Sequence, residues 1–271
     1  MKNHFNLLFA LFFVFSLHAQ KEIKDKELKS KLDSIIAEAD LLYTYEKVAW
    51  KSTDILLQNQ GLKQNAGGYL VYHSKDSVFG VFTDKGATKR IAKYSFSKDD
   101  LNAPFASDYN IVALSSKEKK LLEIKSTIVN QFSNPQYQIT IPNGYNPNLV
   151  LIEGEKGYQF YIIMGTNHPE IIPFGNDYVF KTDEKGIITS WRKFHKTMIP
   201  AQSKMADGSK VISAIHSHLK MTPLITATDI CTFRLYGELY GMSEFMVLST
   251  ALGKYFKYIL KSNTIEVTDI K

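Results

Sequence analysis

The stretch ISAIHSHLKMTPLITATD, residues 212 to 229, holds the residues of this chain whose types and spacing point most directly to chemistry. His216 and His218 are separated by one residue. In an extended strand, positions i and i+2 point to the same face, so both imidazoles would stand side by side. Asp229 follows after a run of apolar and hydroxyl residues, where a loop can fold back and bring its carboxylate to the same point. Two neutral imidazoles and one carboxylate bind a divalent ion such as zinc and leave a fourth tetrahedral position for water, the arrangement of a catalytic centre. The plain alternative is a pair of satisfied polar residues on a half-buried strand.

The spacing His216, Ser217, His218, seven residues, Thr226, two residues, Asp229 resembles the signature of the JAB/MPN (JAMM) metalloprotease-like domains. Thr226 stands where that family usually has serine, and Leu219 where proline commonly follows the second histidine. The resemblance implies a strand carrying the histidines, a loop, a helix carrying the aspartate, then strands to the end. It also implies Zn2+ held by His216, His218 and Asp229, a hydroxyl of Thr226 at the developing oxyanion, and an upstream glutamate as general base. Glu155, just before an apolar strand, is the choice for that base, with Glu153 and Glu170 as alternatives. The activity implied is hydrolysis of amide bonds in a peptide or protein, as a peptidase or isopeptidase. A catalytically inactive exported binding or scaffolding protein, or an exported effector, remains beside it.

His195, in SWRKFHK, is open to two readings. It is an exposed histidine at a strand end, or, if its strand pairs with the one carrying His216, a fourth ligand that closes the coordination sphere. His73 and His168 sit in turn-like contexts and carry no such signal.

These residues need elements to position them. Apolar residues at helical spacing from Leu28 to Trp50 predict one long helix or two over residues 21 to 60. Runs at 69–72, 78–82 and 91–96, separated by turn residues, predict a small antiparallel sheet. Ser115 with Glu118 before Leu121, Leu122, Ile124 and Ile128 predicts a capped helix that ends before Pro135. Beyond it, YQITI, NLVLIE and YQFYIIMG read as strands, and two alternating runs flank Asp183-Glu184-Lys185-Gly186 as a hairpin. A strand over 210 to 217, a helix over about 228 to 240, and three closing strands complete an α+β chain. Its expected organisation is a signal peptide over 1–19, an N-terminal helix-plus-sheet module over 20–135, and a mixed α/β, JAB/MPN-like part over 136–271.

Lys2 before the apolar run Phe5 to Leu17 is the pattern of a secretory signal cleaved near Ala19, which predicts export to the periplasm or medium without a membrane anchor. Export permits disulfides, yet Cys231 is the one cysteine, so folding rests on the core. The 33 basic residues exceed the 27 acidic ones, but lysines alternate with acids instead of clustering with aromatics. That distribution argues against a nucleic-acid partner.

Overall fold

The computed structural model describes residues 4–270, with side chains from Lys24 onward. The expected signal peptide falls on residues whose side chains lie outside that described part. Among the described residues no helix is long and apolar enough to cross a membrane.

The chain opens with α1 (His4–Gln58) and a short α2 (Gln60–Asn65). Leu32, Ala39, Leu42, Tyr45 and Val48, spaced by three or seven, form the buried stripe of α1. Next come β1 (Ala66–Ser74), β2 (Ser77–Asp84) and β3 (Lys89–Ser97), an antiparallel sheet to which the short β4 (Ala106–Asp108) and β5 (Val112–Ala113) add at β3. Helix α3 (Ser116–Asn130) starts on the predicted capping box: Glu118 N–H donates to the Ser115 hydroxyl, and the Glu118 carboxylate accepts from Ser115 N–H.

A second antiparallel sheet has the order β10-β9-β7-β6, from β6 (Tyr145–Gly154), β7 (Gly157–Thr166), β9 (Tyr178–Thr182) and β10 (Ile188–Lys193). Between its strands, β8 (Ile171–Gly175) leaves to pair with β11 (Met198–Gln202). The last sheet has the order β12-β13-β14-β15, from β12 (Ser213–His218), β13 (Glu244–Ser249), β14 (Lys254–Ile259) and β15 (Thr264–Asp269). Strands β12 and β13 are parallel, which requires a crossover, and α4 (Ala227–Tyr240) supplies it. Helix α4 is apolar almost all round and correspondingly buried, between α1 and this sheet.

One expectation changes, and one pair of strands was not anticipated. Residues 137–141 are not a strand: a 3-10 turn over Pro135–Tyr137 leads into Gln138 in the left-handed region, φ 50°. The Tyr178 hydroxyl there donates to the Gln138 carbonyl and accepts from Thr140 N–H, so a side chain replaces a strand partner. Conversely, β8 and β11 form although Pro173 and Pro200 stand directly opposite each other. Proline removes a donor from the ladder and is confined to edges, and a separate two-stranded ribbon consists only of edges.

The cores cross residue 135. Leu42 and Tyr45 of α1 pack with Phe233 of α4 and Phe245, Val247 and Phe256 of the last sheet. Leu70 and Tyr72 of β1 pack with Leu121 and Ile124 of α3 and Phe160 and Phe180 of the second sheet.

Candidate metal centre

Strand β12 alternates as expected: Ile215 and Ser217 face outward while His216 and His218 are buried on the inner face. The His216 ring lies between Phe174 and Phe245, with ring centroids 5.1 and 6.1 Å away. Its partner aspartate is fixed by a helix cap. Thr226 is the N-cap of α4, and its backbone N–H and hydroxyl both donate to Asp229 Oδ2, at 2.9 and 2.6 Å. With Oδ2 engaged, Oδ1 is the free oxygen. It stands 3.3 Å from His216 Nε2 and 3.6 Å from His195 Nε2.

His195 therefore belongs to the group: it is not the exposed strand-end residue of the first reading, and it reaches the group from the segment after β10, which pairs with β9 and not with β12. It is 6% exposed, in the segment between β10 and β11. That segment is clamped to the β8–β9 turn by Phe194 N–H on the Asp177 carbonyl and Asn176 N–H on the Thr197 carbonyl. Gly175 makes the clamp feasible: its φ is +88°, and a Cβ there would lie 2.4 Å from the Thr197 oxygen.

The four residues His195, His216, His218 and Asp229 are all buried, and one ligand atom from each lies within 4.8 Å of the others. Individual separations are 2.7 Å for His195 Nε2 to His218 Nε2 and 3.2 Å for His216 Nε2 to His218 Nε2. His218 Nε2 is 3.4 Å from Asp229 Oδ2. An ion about 2.0–2.1 Å from four tetrahedral ligands needs ligand atoms about 3.3–3.4 Å apart. The group can hold a metal ion.

The hydrogen bonds on the far side of the rings say what faces the centre. His195 Nδ1 lies 2.6 Å from Asp177 Oδ1, and His218 Nδ1 lies 2.7 Å from the Leu224 carbonyl. Both partners are acceptors, so the ring protons sit on Nδ1 and both Nε2 atoms turn lone pairs inward. Two lone pairs 2.7 Å apart repel unless a positive charge lies between them. A proton or a metal ion satisfies that requirement. Burial works against a charge on His195, but Asp177 and Asp229 outweigh it and raise its pKa to about 9. Burial lowers His218, aided by the other two histidines and opposed by Asp229. Burial pushes the Asp229 carboxyl up, yet the three imidazoles hold it far below the carboxylate range.

Asp177, which orients His195 and accepts from the Thr228 hydroxyl, had no signature in the sequence. Its one local cue is the Gly175-Asn176 pair before it, a turn signal without chemistry. Glu155 does not come to the group. It lies exposed in the β6–β7 turn, beyond Gly157, whose backbone abuts the Thr182 carbonyl. Thr182 ends β9, five residues from Asp177, so at 3.3 Å per residue Glu155 is on the order of 17 Å away. Glu153 pairs with Lys117 at 2.8 Å, and Glu170 faces Lys204 at 3.4 Å from the opposite end of β8. Thr226 is at the site, but its hydroxyl is engaged by Asp229 and lies 2.9 Å from the Thr228 hydroxyl. Cys231 is buried in α4 as a small core residue, its thiol pKa raised by burial.

No protein-family model, curated protein or solved structure gave a significant match to this chain.

Proposed function

We propose that this is an exported zinc protein in which His195, His216, His218 and Asp229 enclose one Zn2+ as a closed centre that fastens three segments together, and that the chain serves as a binding or scaffolding protein. The observation that supports this is the inward convergence of three Nε2 atoms and Oδ1 of a cap-fixed carboxylate, all buried. Three imidazoles and a carboxylate, with separations from 2.7 to 3.6 Å, suit zinc better than the harder cations, which prefer oxygen, and four protein ligands are the mark of a structural site. The segments so joined are the β10–β11 connection, β12 and the start of α4, three separate elements within residues 195–229. Zinc would supply positive charge to satisfy the lone pairs and to hold these segments together. The Asp177 and Leu224 contacts would orient two of the rings toward it.

A second reading, zinc-dependent amide hydrolysis of JAB/MPN type, is favoured by one observation. His195 is carried on Asp177 as a buried His–Asp pair, separate from the strand that bears the other two histidines. In that reading His216, His218 and Asp229 hold the ion, and His195 takes the proton that a glutamate would otherwise take.

Metal analysis of the purified full chain beside His195→Ala, His216→Ala and Asp229→Ala separates the two. About one zinc per wild-type chain, lost in all three variants, with no peptidase or isopeptidase activity, supports the closed centre. Zinc retained in His195→Ala together with lost hydrolysis supports the second reading. Absence of zinc from the wild type after reconstitution overturns both.

A further inference from the structure

Beside the metal centre, on the face of the second sheet opposite the α3 core, two cavities meet. One, of about 270 Å³, lies over Gln159 and Tyr161 of β7, Lys181 of β9, and Ser190 and Arg192 of β10. The other, of about 180 Å³, runs between α1 and the 222–227 segment. Both are bounded by Glu38, Arg192 and Phe194, so they form one trough. Strand register lays out its floor. Ser190, Lys181 and Gln159 are directly opposite one another, as are Arg192, Val179 and Tyr161.

The floor carries uncompensated charge. Among the described residues neither Lys181 nor Arg192 has a carboxylate within ion-pair distance. Arg192 spends one nitrogen, Nη2, on the Met221 carbonyl and the Thr222 hydroxyl, at 2.9 and 3.0 Å. The guanidinium also lies over the Phe194 ring, its carbon 5.0 Å from the centroid, and among the described residues no hydrogen bond engages Nε or Nη1. The two cations are diagonal cross-strand neighbours, roughly 7–8 Å apart at the backbone, a separation that one or two carboxylates can bridge. At the junction of the cavities stands one acid, Glu38, 2.7 Å from the Tyr161 hydroxyl, which also lies 2.6 Å from Gln159 Oε1. Lys181 in the first cavity, with Arg192 and Glu38 both at the junction, defines a ligand that carries charges of both signs.

We infer that this trough binds a short acidic peptide, its carboxylates on Lys181 and Arg192 and its amino terminus on Glu38. The inference goes beyond the metal centre but touches it. Arg192 and the Phe194 carbonyl, which accepts from Thr222, grip the 219–226 loop, and the same loop offers the Leu224 carbonyl to His218. The centre thus braces one wall of the trough.

The test is calorimetric titration of the full chain with the tetrapeptide Ala-Glu-Ala-Glu, beside its N-acetylated form, Ala-Lys-Ala-Lys and inorganic phosphate. Binding of the first is expected to weaken about tenfold in Lys181→Gln, whose side chain is exposed and outside the core, and further in the Lys181→Gln/Arg192→Gln double variant. Acetylation should weaken binding to the wild type but have little effect in Glu38→Gln. Equal binding of Ala-Lys-Ala-Lys, phosphate binding as tight as the peptide, or indifference to Lys181→Gln would overturn the inference. Repeating the titration after chelation separates it from the zinc reading. Weaker binding is expected when the brace is removed, whereas unchanged binding counts against a zinc brace and leaves the trough standing.

Discussion

His195, His218 and Asp229 are each held at the far atom, so the chemistry of the group depends on residues one step back. His195 is the sensitive member, because a proton and a metal ion compete for its Nε2. With its pKa raised to about 9, the metal-free centre carries that proton at neutral pH. Zinc affinity should therefore rise about tenfold per pH unit between about 7 and 9 and level off above. Competition titration with a chromophoric chelator at several pH values checks this; a flat profile would remove His195 from the ligand set. The same group bears on the stability of the metal-free protein. Its folded pKa lies above the unfolded value, so the contribution is present in full below about 6.5 and is lost as pH rises through 9, on the order of 3 kcal/mol. Denaturant unfolding of the chelated protein at pH 6 and pH 9.5 measures the difference. Asp177→Asn removes the charge that fixes the His195 tautomer and should weaken zinc by about 10–100-fold while leaving the fold intact.

At the scale of elements, the centre is made by a cap, a clamp and a strand. Gly175→Ala places a side chain at φ +88° with a Cβ 2.4 Å from the Thr197 oxygen, so the β8–β9 turn must part from the segment carrying His195. A loss of about 1–3 kcal/mol is expected in the denaturant midpoint, together with reduced zinc affinity, because the same backbone positions a ligand. Unchanged zinc affinity in a destabilised variant would mean that the clamp does not set the ligand. Elsewhere α1 meets α3 and the sheets through a buried acid, Glu46, and a half-buried base, Lys125. Burial raises Glu46 to about 7 and lowers Lys125 to about 8. Their direct partners are neutral, Asn148 for Glu46 and the Tyr69 carbonyl for Lys125. Glu46→Gln/Lys125→Met should be as stable as the wild type or more so by about 1–4 kcal/mol, and Lys125→Met alone less stable, since it leaves a buried carboxylate without its nearby cation. Thermal unfolding at pH 7.5 of all three proteins decides it.

For the molecule as a whole, a bound ion would join the β10–β11 connection, β12 and the start of α4. If zinc is bound, chelation should lower the melting temperature of the wild type by several degrees, following linkage to free zinc, and leave His216→Ala unmoved. A wild type indifferent to both chelator and added zinc would reduce the cluster to a buried hydrogen-bonded network. The halves of the chain are expected to melt together in calorimetry, because α1 shares one core with α4 and the last sheet, and β1 shares another with α3 and the second sheet.

Local patterns determined a good part of this protein. Period-two alternation placed His216 and His218 on one face, and the helix expected over about 228 to 240 placed the Asp229 carboxylate at its start. The Ser115–Glu118 box and the Asp183–Gly186 turn were equally legible, since each is completed within a few residues. Tertiary structure decided the rest. His195 and Asp177 are 18 residues apart, on connections whose meeting depends on β8 leaving one sheet to pair with β11. Two prolines facing each other in that ribbon disguise it in the sequence. No periodicity records which loop ends a folded chain will bring together, and for the same reason a glutamate suited by its local context, Glu155, lies at the wrong end of its sheet, away from the group. Side-chain direction follows from the repeat of a single element, whereas convergence of four ligands follows from the packing of all of them.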